Sequence, residues 1–113
     1  MPERPATIRV DASTVQGEEA YIEFKRLTWG ERKRVREEVQ KLDGGDLLDY
    51  FKNFIIEHVA DWNWVDENGE ALPRLADPGD FERLMDDETE FLFDVASGAV
   101  RGELSLKNWE KKS

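Results

Sequence analysis

The stretch A-Y-I-E-F-K-R-L-T-W-G-E, residues 20–31, contains the two periodicities that decide the fold. Ile22 and Phe24 alternate with charged residues, which is the pattern of a half-buried β-strand. Thr28 and Glu31 have the spacing of a capping box, in which the two side chains bond free backbone amides at the start of a helix. The stretch therefore predicts a strand that is followed directly by a helix.

The residues before this strand predict a hairpin partner for it. Residues 7–10, T-I-R-V, are a short strand candidate. Residues 11–17 are interpreted as the loop that joins it to the strand of residues 20–27. Residues 1–6 contain two prolines and no apolar pattern, so they predict a flexible N-terminal arm.

Two helices are predicted next along the chain. The first carries Arg, Lys and Glu at its exposed positions and ends at Gly44 and Gly45. The second begins at Asp46, and its apolar side chains recur at steps of three and four. We therefore predict that the second helix lies at the centre of the core. Its apolar side chains are Leu47, Phe51, Phe54, Ile55, Val59 and Trp62.

The last third of the chain predicts a turn and further helical segments. Residues 66–73, D-E-N-G-E-A-L-P, predict a small hairpin or ordered loop, because Asn and Gly both tolerate positive φ. Pro78 suits the first turn of a short helix, and residues 88–100 predict a last amphipathic helix. The predicted fold class is α+β and mainly α, with an N-terminal β-hairpin packed on three to four helices. A single globular domain is predicted over residues 7–102, followed by a C-terminal tail, residues 103–113.

Composition predicts a small acidic protein of a reducing compartment. The 113 residues include 16 Lys and Arg against 26 Asp and Glu, for a net charge of -10. Such a charge opposes binding to nucleic acid and anionic membranes. The chain has no cysteine, which excludes disulfides, zinc–thiolate sites and cysteine nucleophiles. No signal-peptide core or membrane-length apolar run is present, so we expect a soluble, cytoplasmic protein.

The sequence lacks the side-chain combinations of an enzyme. His58 is the single histidine, and its place beside the apolar face favours a hydrogen-bonded residue at the edge of the core over a catalytic base. Residues 61–72 are rich in carboxylates but fail the calcium-loop pattern of glycine at position six and glutamate at position twelve. The acidic residues 86–90 favour a helix start. We predict no catalytic residue, no metal site and no cofactor.

Charge is distributed unevenly along the chain. Residues 25–36 contain six basic side chains against only Glu31, whereas residues 57–103 contain fourteen acidic side chains against three arginines. One interpretation is a helix whose charges form intramolecular ion pairs. The other is a basic face for an acidic partner, or for self-association with the acidic face of a second copy. Nucleic-acid binding is disfavoured by the field of the whole molecule.

The four tryptophans are the second candidate surface, because they exceed what a small core buries easily and tryptophan is enriched in binding hot spots. Burial in the core is favoured for Trp29 and Trp62. Trp62 and Trp64 share one side of an extended segment, so they could form an exposed pair. For Trp64, the sequence leaves burial and an exposed, partner-facing position equally open.

Three stretches resemble the tail assembly chaperones of long-tailed bacteriophages and related prophages. They are Y-I-E-F-K-R-L-T-W-G-E at residues 21–31, V-A-D-W-N-W-V-D-E-N-G-E-A-L-P at residues 59–73 and F-E-R-L-M-D-D-E at residues 81–88. The resemblance covers roughly residues 20–100. Its most telling part is the apolar helix that leads into the Trp-Asn, Asp-Glu-x-Gly and Leu-Pro elements.

The resemblance implies a non-enzymatic role in phage tail assembly. Such chaperones bind helical segments of the tape measure protein and keep its hydrophobic stretches soluble until tail-tube subunits polymerise around it. The tail-tube protein is a second candidate partner. Two rival hypotheses are an acidic DNA mimic that inhibits a host nucleic-acid enzyme and a structural neck or tail-completion protein. The predicted partner-binding residues are Trp29, Arg32, Lys33, Arg36, Trp62, Trp64, Phe91 and Trp109, with Phe51 and Ile55 as further candidates.

Overall fold

The computed structural model describes residues 6–102. It contains a three-stranded antiparallel sheet in the order β1-β2-β3, packed against helices, and so confirms the α+β, mainly α, fold class. The strands are β1 (Thr7–Asp11), β2 (Tyr21–Lys25) and β3 (Val59–Trp62). The helices are α1 (Ser13–Gln16), α2 (Trp29–Val39), α3 (Gly44–His58), a 3₁₀ helix (Pro78–Arg83) and α4 (Asp86–Arg101).

The N-terminal hairpin is confirmed. Strands β1 and β2 pair antiparallel, with Ile8 opposite Phe24. Both of these side chains are buried. The connection holds the short helix α1 where the sequence predicted only a loop, and the Asp11 carboxylate accepts a hydrogen bond from the Ser13 amide at its start (3.0 Å). Because a side chain can satisfy the first amides of a helix, one turn is stable even in this short connection.

The third strand is a correction to the sequence analysis, which placed Val59 and Trp62 on the apolar helix. Helix α3 ends at His58, and β3 pairs with β2 instead. The pairing contains a bulge, since the step from Val59 to Asp61 lies opposite a single step on β2. An extra residue in one strand brings two side chains three positions apart onto the same face. The spacing of three in the sequence therefore arises from a bulged strand rather than from a helix.

Helix boundaries differ from prediction by a few residues. Helix α2 ends at Val39, before the predicted glycine break, and α3 begins at Gly44, two residues before Asp46. Gly44 has a φ of 54°, so the chain reverses at a position that favours glycine. Helix α4 begins with Asp86 and Asp87 in its first turn, which confirms the interpretation of this acidic run as a helix start.

Helix α4 is the most buried helix, and the prediction that gave this place to α3 is wrong. Seven residues of α4 are buried, whereas α3 buries two, Phe54 and Ile55. Helix α4 packs against α1, α2 and α3. Its small residues Ala96 and Ala99 are buried, which lets neighbouring elements approach the backbone closely. Helix α3 has more large apolar residues, but they are spread around too much of its surface for all of them to face the core.

The predicted capping box is present at the start of α2. The Glu31 amide donates to the Thr28 hydroxyl (3.1 Å), and the Thr28 amide donates to the Glu31 carboxylate (2.8 Å). The hydrogen bond from the Thr28 backbone, followed by the bond with its side chain, lowers the pKa of Glu31 below its ordinary value of 4.5. The charged form of Glu31 is therefore favoured by folding.

Glu31→Gln is expected to destabilise the domain at neutral pH by about 0.3–1 kcal/mol, because it removes an anion from the first turn of a helix. Since the folded pKa of Glu31 is depressed, its contribution is complete above the ordinary value of 4.5 and is lost as the pH falls through the folded pKa. The difference between wild type and variant should thus shrink as the solution is acidified below that ordinary value. Urea denaturation at neutral pH and in acid measures it. Glu37→Gln, outside the first turn, is the control, and an unchanged Glu31→Gln difference in acid would contradict the assignment.

Candidate protein-binding surface

Trp62 and Trp64 are core residues, which confirms the favoured burial of Trp62 and decides the position of Trp64, which the sequence had left open between burial and exposure. Trp62 is 7% exposed and Trp64 is 1% exposed, and their rings stack 4.6 Å apart with only 7° between their planes. The two side chains do share one side, but that side faces inward. The reason is the hairpin that follows them: the Leu72 amide donates to the Trp64 carbonyl (2.9 Å), and the Trp62 indole donates to the Leu72 carbonyl (2.8 Å).

The hairpin that the Asn-Gly signal predicted is present, and Asp66 organises its turn. The Asp66 carboxylate accepts hydrogen bonds from the amides of Asn68 (2.8 Å) and Glu70 (3.0 Å). Gly69 has a φ of 80°, and Val65 bridges to Ala71 across the turn. The carboxylate of Asp66 thus organises a tight turn.

The remaining aromatic and apolar candidates are placed mostly in or against the core. Phe91 is half-buried, with its ring 6.0 Å from that of Trp64. Ile55 is fully buried, and Phe51 is half-buried between the rings of Phe54 and Phe93. Trp109 lies outside the described residues.

His58 confirms the expectation of a hydrogen-bonded residue at the edge of the core. Its Nδ1 lies 2.8 Å from the Phe54 carbonyl oxygen, one helical turn earlier. Its ring stacks on Phe54 at 4.2 Å and lies 5.7 Å from the ring of Phe24. These contacts place His58 as a packed, hydrogen-bonded residue at the edge of the core.

A partly buried polar network, which the sequence did not predict, joins α1, the hairpin and α4. Gln16 acts as a strand partner for Val65, because its side-chain amide donates to the Val65 carbonyl (3.0 Å) and accepts from the Val65 amide (2.8 Å). The same Gln16 amide donates to the carboxylate of Glu88 (2.6 Å), the one buried charged residue among those described. Glu88 also accepts from the Met85 amide (2.9 Å), which satisfies the start of α4. Short-range patterns carry no signal for Gln16, since its partners lie 49 and 72 positions away.

Gln16→Ala is expected to destabilise the domain by about 1–3 kcal/mol, because the buried Glu88 carboxylate loses a hydrogen-bond donor. Glu88→Gln should also destabilise the domain, because its oxygen can still accept from Met85 but its NH2 group then faces the donor NH2 of Gln16. Thermal denaturation of both variants measures the losses. An unchanged melting temperature in either variant would contradict this account of the network.

The outer face of α2 is the surface on which predicted binding residues come together. Trp29 is 69% exposed, so the favoured core position is wrong for this residue although it holds for Trp62. Helix α2 has no buried residue and packs on the core through half-buried side chains such as Val35. Trp29 lies on a different side of the helix from Val35. A groove of about 260 Å³ is lined by Trp29, Arg32, Lys33, Arg36, Glu37 and Gln40, and we call these six residues the α2 stripe.

The α2 stripe follows helical geometry. Its members recur at steps of three, one, three, one and three, which places them along one side of a helix for about three turns, or about 16 Å. The Lys33 ammonium lies 5.7 Å from the centre of the Trp29 ring, within the range of a cation–π contact. All four predicted residues of α2 therefore belong to one continuous surface.

Within residues 6–102, two cations of the stripe have no ion pair. Within residues 6–102, the ion pairs given by the structure are Arg9–Glu23 and Arg83–Asp80, and neither Lys33 nor Arg36 takes part in one. The interpretation of the basic run as internal ion pairs therefore does not apply to these two residues. Their charges are available to a partner.

Arg32 differs from the other cations of the stripe because it also supports the fold. It is half-buried, and its guanidinium lies close to Gly102, where a Cβ atom would stand 3.1 Å from the Arg32 Cζ. Gly102 caps the C-terminal end of α4 with a φ of 80°. A positive charge at that end interacts favourably with the helix dipole. A substitution at Arg32 would thus alter stability as well as binding.

The protein is a small α+β domain, and its candidate binding surface is a cationic helix that carries an exposed aromatic side chain. No protein-family model, curated protein or solved structure matches the chain. In the part of the chain that the structure describes, the helices are too short or too polar to span a membrane.

Proposed function

We propose that this protein is a phage tail assembly chaperone that binds helical segments of the tape measure protein and keeps them soluble in the host cytoplasm. The observation that carries the proposal is the α2 stripe, with Trp29 exposed and Lys33 and Arg36 unpaired within residues 6–102. The resemblance of three sequence stretches to this class of chaperone supports the choice of partner.

The exposed ring of Trp29 favours binding of a partner. Covering a large apolar ring lowers the free energy, and tryptophan is among the residues that dominate binding energies. Cations beside the ring help to orient a bound partner and raise its association rate. The net charge of -10 favours solubility of the complex. Such a surface suits a protein that must hold an aggregation-prone helix and later release it.

Co-expression with the tape measure protein tests the proposal. We expect the chaperone to move the tape measure protein from the insoluble to the soluble fraction, and Trp29→Ala to abolish most of this effect. Leu48→Ala is the matched control, since Leu48 is also an exposed apolar residue (47%) but lies outside the stripe, on α3. Equal solubilisation by Trp29→Ala and wild type would contradict the role given to this surface.

Affinity purification and the composition of purified virions distinguish the rival functions. Affinity purification from infected cells should retain a long helical protein. Retention of a host nucleic-acid enzyme in its place would favour the DNA mimic. The presence of the chain in purified virions would favour a structural neck or tail-completion protein, because an assembly chaperone leaves before the particle is finished.

A further inference from the structure

The α2 stripe has a charge pattern that specifies its partner more closely. We infer that it binds an acidic amphipathic α-helix, with carboxylates one turn apart and a large apolar residue about one turn beyond them. This inference rests on the proposed function, since it describes the segment that the same surface would hold.

The shape of the surface favours a helix over an extended peptide. An extended peptide adds to a sheet by bonding free backbone groups at its edge, whereas the amides of α2 beyond its first turn are used within the helix. A straight row of side chains at steps of three and four provides ridges against which a second helix packs. Three turns of contact match the usual length of a helix–groove interaction.

The charges of the stripe indicate that the partner helix is negatively charged where it contacts α2. Arg32, Lys33 and Arg36 outnumber Glu37 on the stripe, and the two exposed cations have no ion pair within residues 6–102. Lys33 and Arg36 are three residues apart, a rise of about 4.5 Å, so carboxylates at i and i+3 or i+4 of a partner helix can face both. The net negative charge of the chain is screened beyond about 8 Å at physiological salt, so the local patch decides the contact.

Trp29 determines where the apolar residue of the partner helix must lie. It lies at the first position of α2, about one turn before Lys33, and its ring is open to solvent. A leucine or aromatic residue of the partner would cover the ring if it lay one turn beyond the carboxylates. Antiparallel packing, which the helix dipoles favour, places this residue C-terminal to the carboxylates in the partner sequence.

Two synthetic amphipathic helices test the inference. Both share one leucine face, and they carry either glutamate or lysine at the positions that would meet Lys33 and Arg36. Fluorescence anisotropy with the full chain should show about tenfold tighter binding of the glutamate peptide, with the difference shrinking as salt rises. Equal affinities for the two peptides would overturn the inference.

Adjacent residues of α2 provide the matched variants. Lys33→Glu should remove the preference for the glutamate peptide, whereas Arg34→Glu should keep it, because Arg34 is equally a surface cation of α2 but does not line the groove. A loss of equal size in Arg34→Glu would show a non-specific charge effect and overturn the assignment.

The tape measure protein distinguishes failure of this inference from failure of the proposed function. If wild type solubilises the tape measure protein but binds the glutamate and lysine peptides equally, the acidic-helix inference is wrong and the proposed function stands. If wild type binds the glutamate peptide with the expected preference but never retains the tape measure protein, the proposed function is wrong and the character of the surface stands.

Discussion

Trp64→Ala is expected to lower the free energy of unfolding by about 3–5 kcal/mol, the usual cost of removing a large aromatic side chain from a core. Trp64 is 1% exposed, stacks on Trp62 at 4.6 Å and contacts the ring of Phe91 at 6.0 Å. Its indole N–H has no hydrogen-bond partner among the described residues, so the loss comes from packing and not from a hydrogen bond. In a domain of this size the melting temperature should fall by about 12 °C or more.

Trp29→Ala is the control for this prediction, because it removes the same side chain from the surface. Trp29 is 69% exposed, and a substitution at such a site usually changes stability by less than about 0.5 kcal/mol. Differential scanning calorimetry of the two variants gives the comparison directly. A similar melting temperature for both would mean that Trp64 does not form part of the core.

This contrast shows which part of the fold could be read from the sequence. The hairpin partner of β2 and the capping box at Thr28 depend on residues close together in the chain, and both were predicted correctly. The inward position of Trp64 depends on Leu72, eight residues later, folding back to bond the Trp64 carbonyl. No periodicity records that contact, so the same alternation fitted an exposed pair equally well.

The missed strand β3 has a different cause. A bulge at Ala60 brings Val59 and Trp62 to the same face, and their spacing of three then has the appearance of a helix. Sequence patterns assume a regular backbone, and a bulge violates that assumption. Gln16 was missed for another reason, since its partners Val65 and Glu88 lie 49 and 72 positions away and leave no local pattern.

Only part of the candidate surface could be predicted from the sequence, and the reason is physical. Exposed charge on a helix leaves a clear sequence signal, so Lys33 and Arg36 were identified directly. The exposure of Trp29 was not, because an aromatic residue in sequence favours burial. Only the packing of α2 through its Val35 side shows that Trp29 faces solvent beside these cations.

Leu92→Ala is expected to destabilise the domain by about 2–5 kcal/mol, because it opens a cavity at the centre of the core. Leu92 is 1% exposed and lies on α4, the helix that packs against α1, α2 and α3. Truncation of this side chain therefore removes contacts between several elements at once. Urea denaturation measures the loss as a lower midpoint with an unchanged slope.

Leu48→Ala on α3 is the matched comparison, since it deletes the same atoms from a side chain that is 47% exposed. It should cost less than about 1 kcal/mol, because little apolar area returns to water. The sequence alone predicts the opposite order of the two losses, since α3 is the more apolar helix and was placed at the centre of the core. A larger loss for Leu48→Ala than for Leu92→Ala would restore that prediction and contradict the packing around α4. The structure instead requires that the helix with small buried residues, and not the helix with the most apolar ones, holds the domain together.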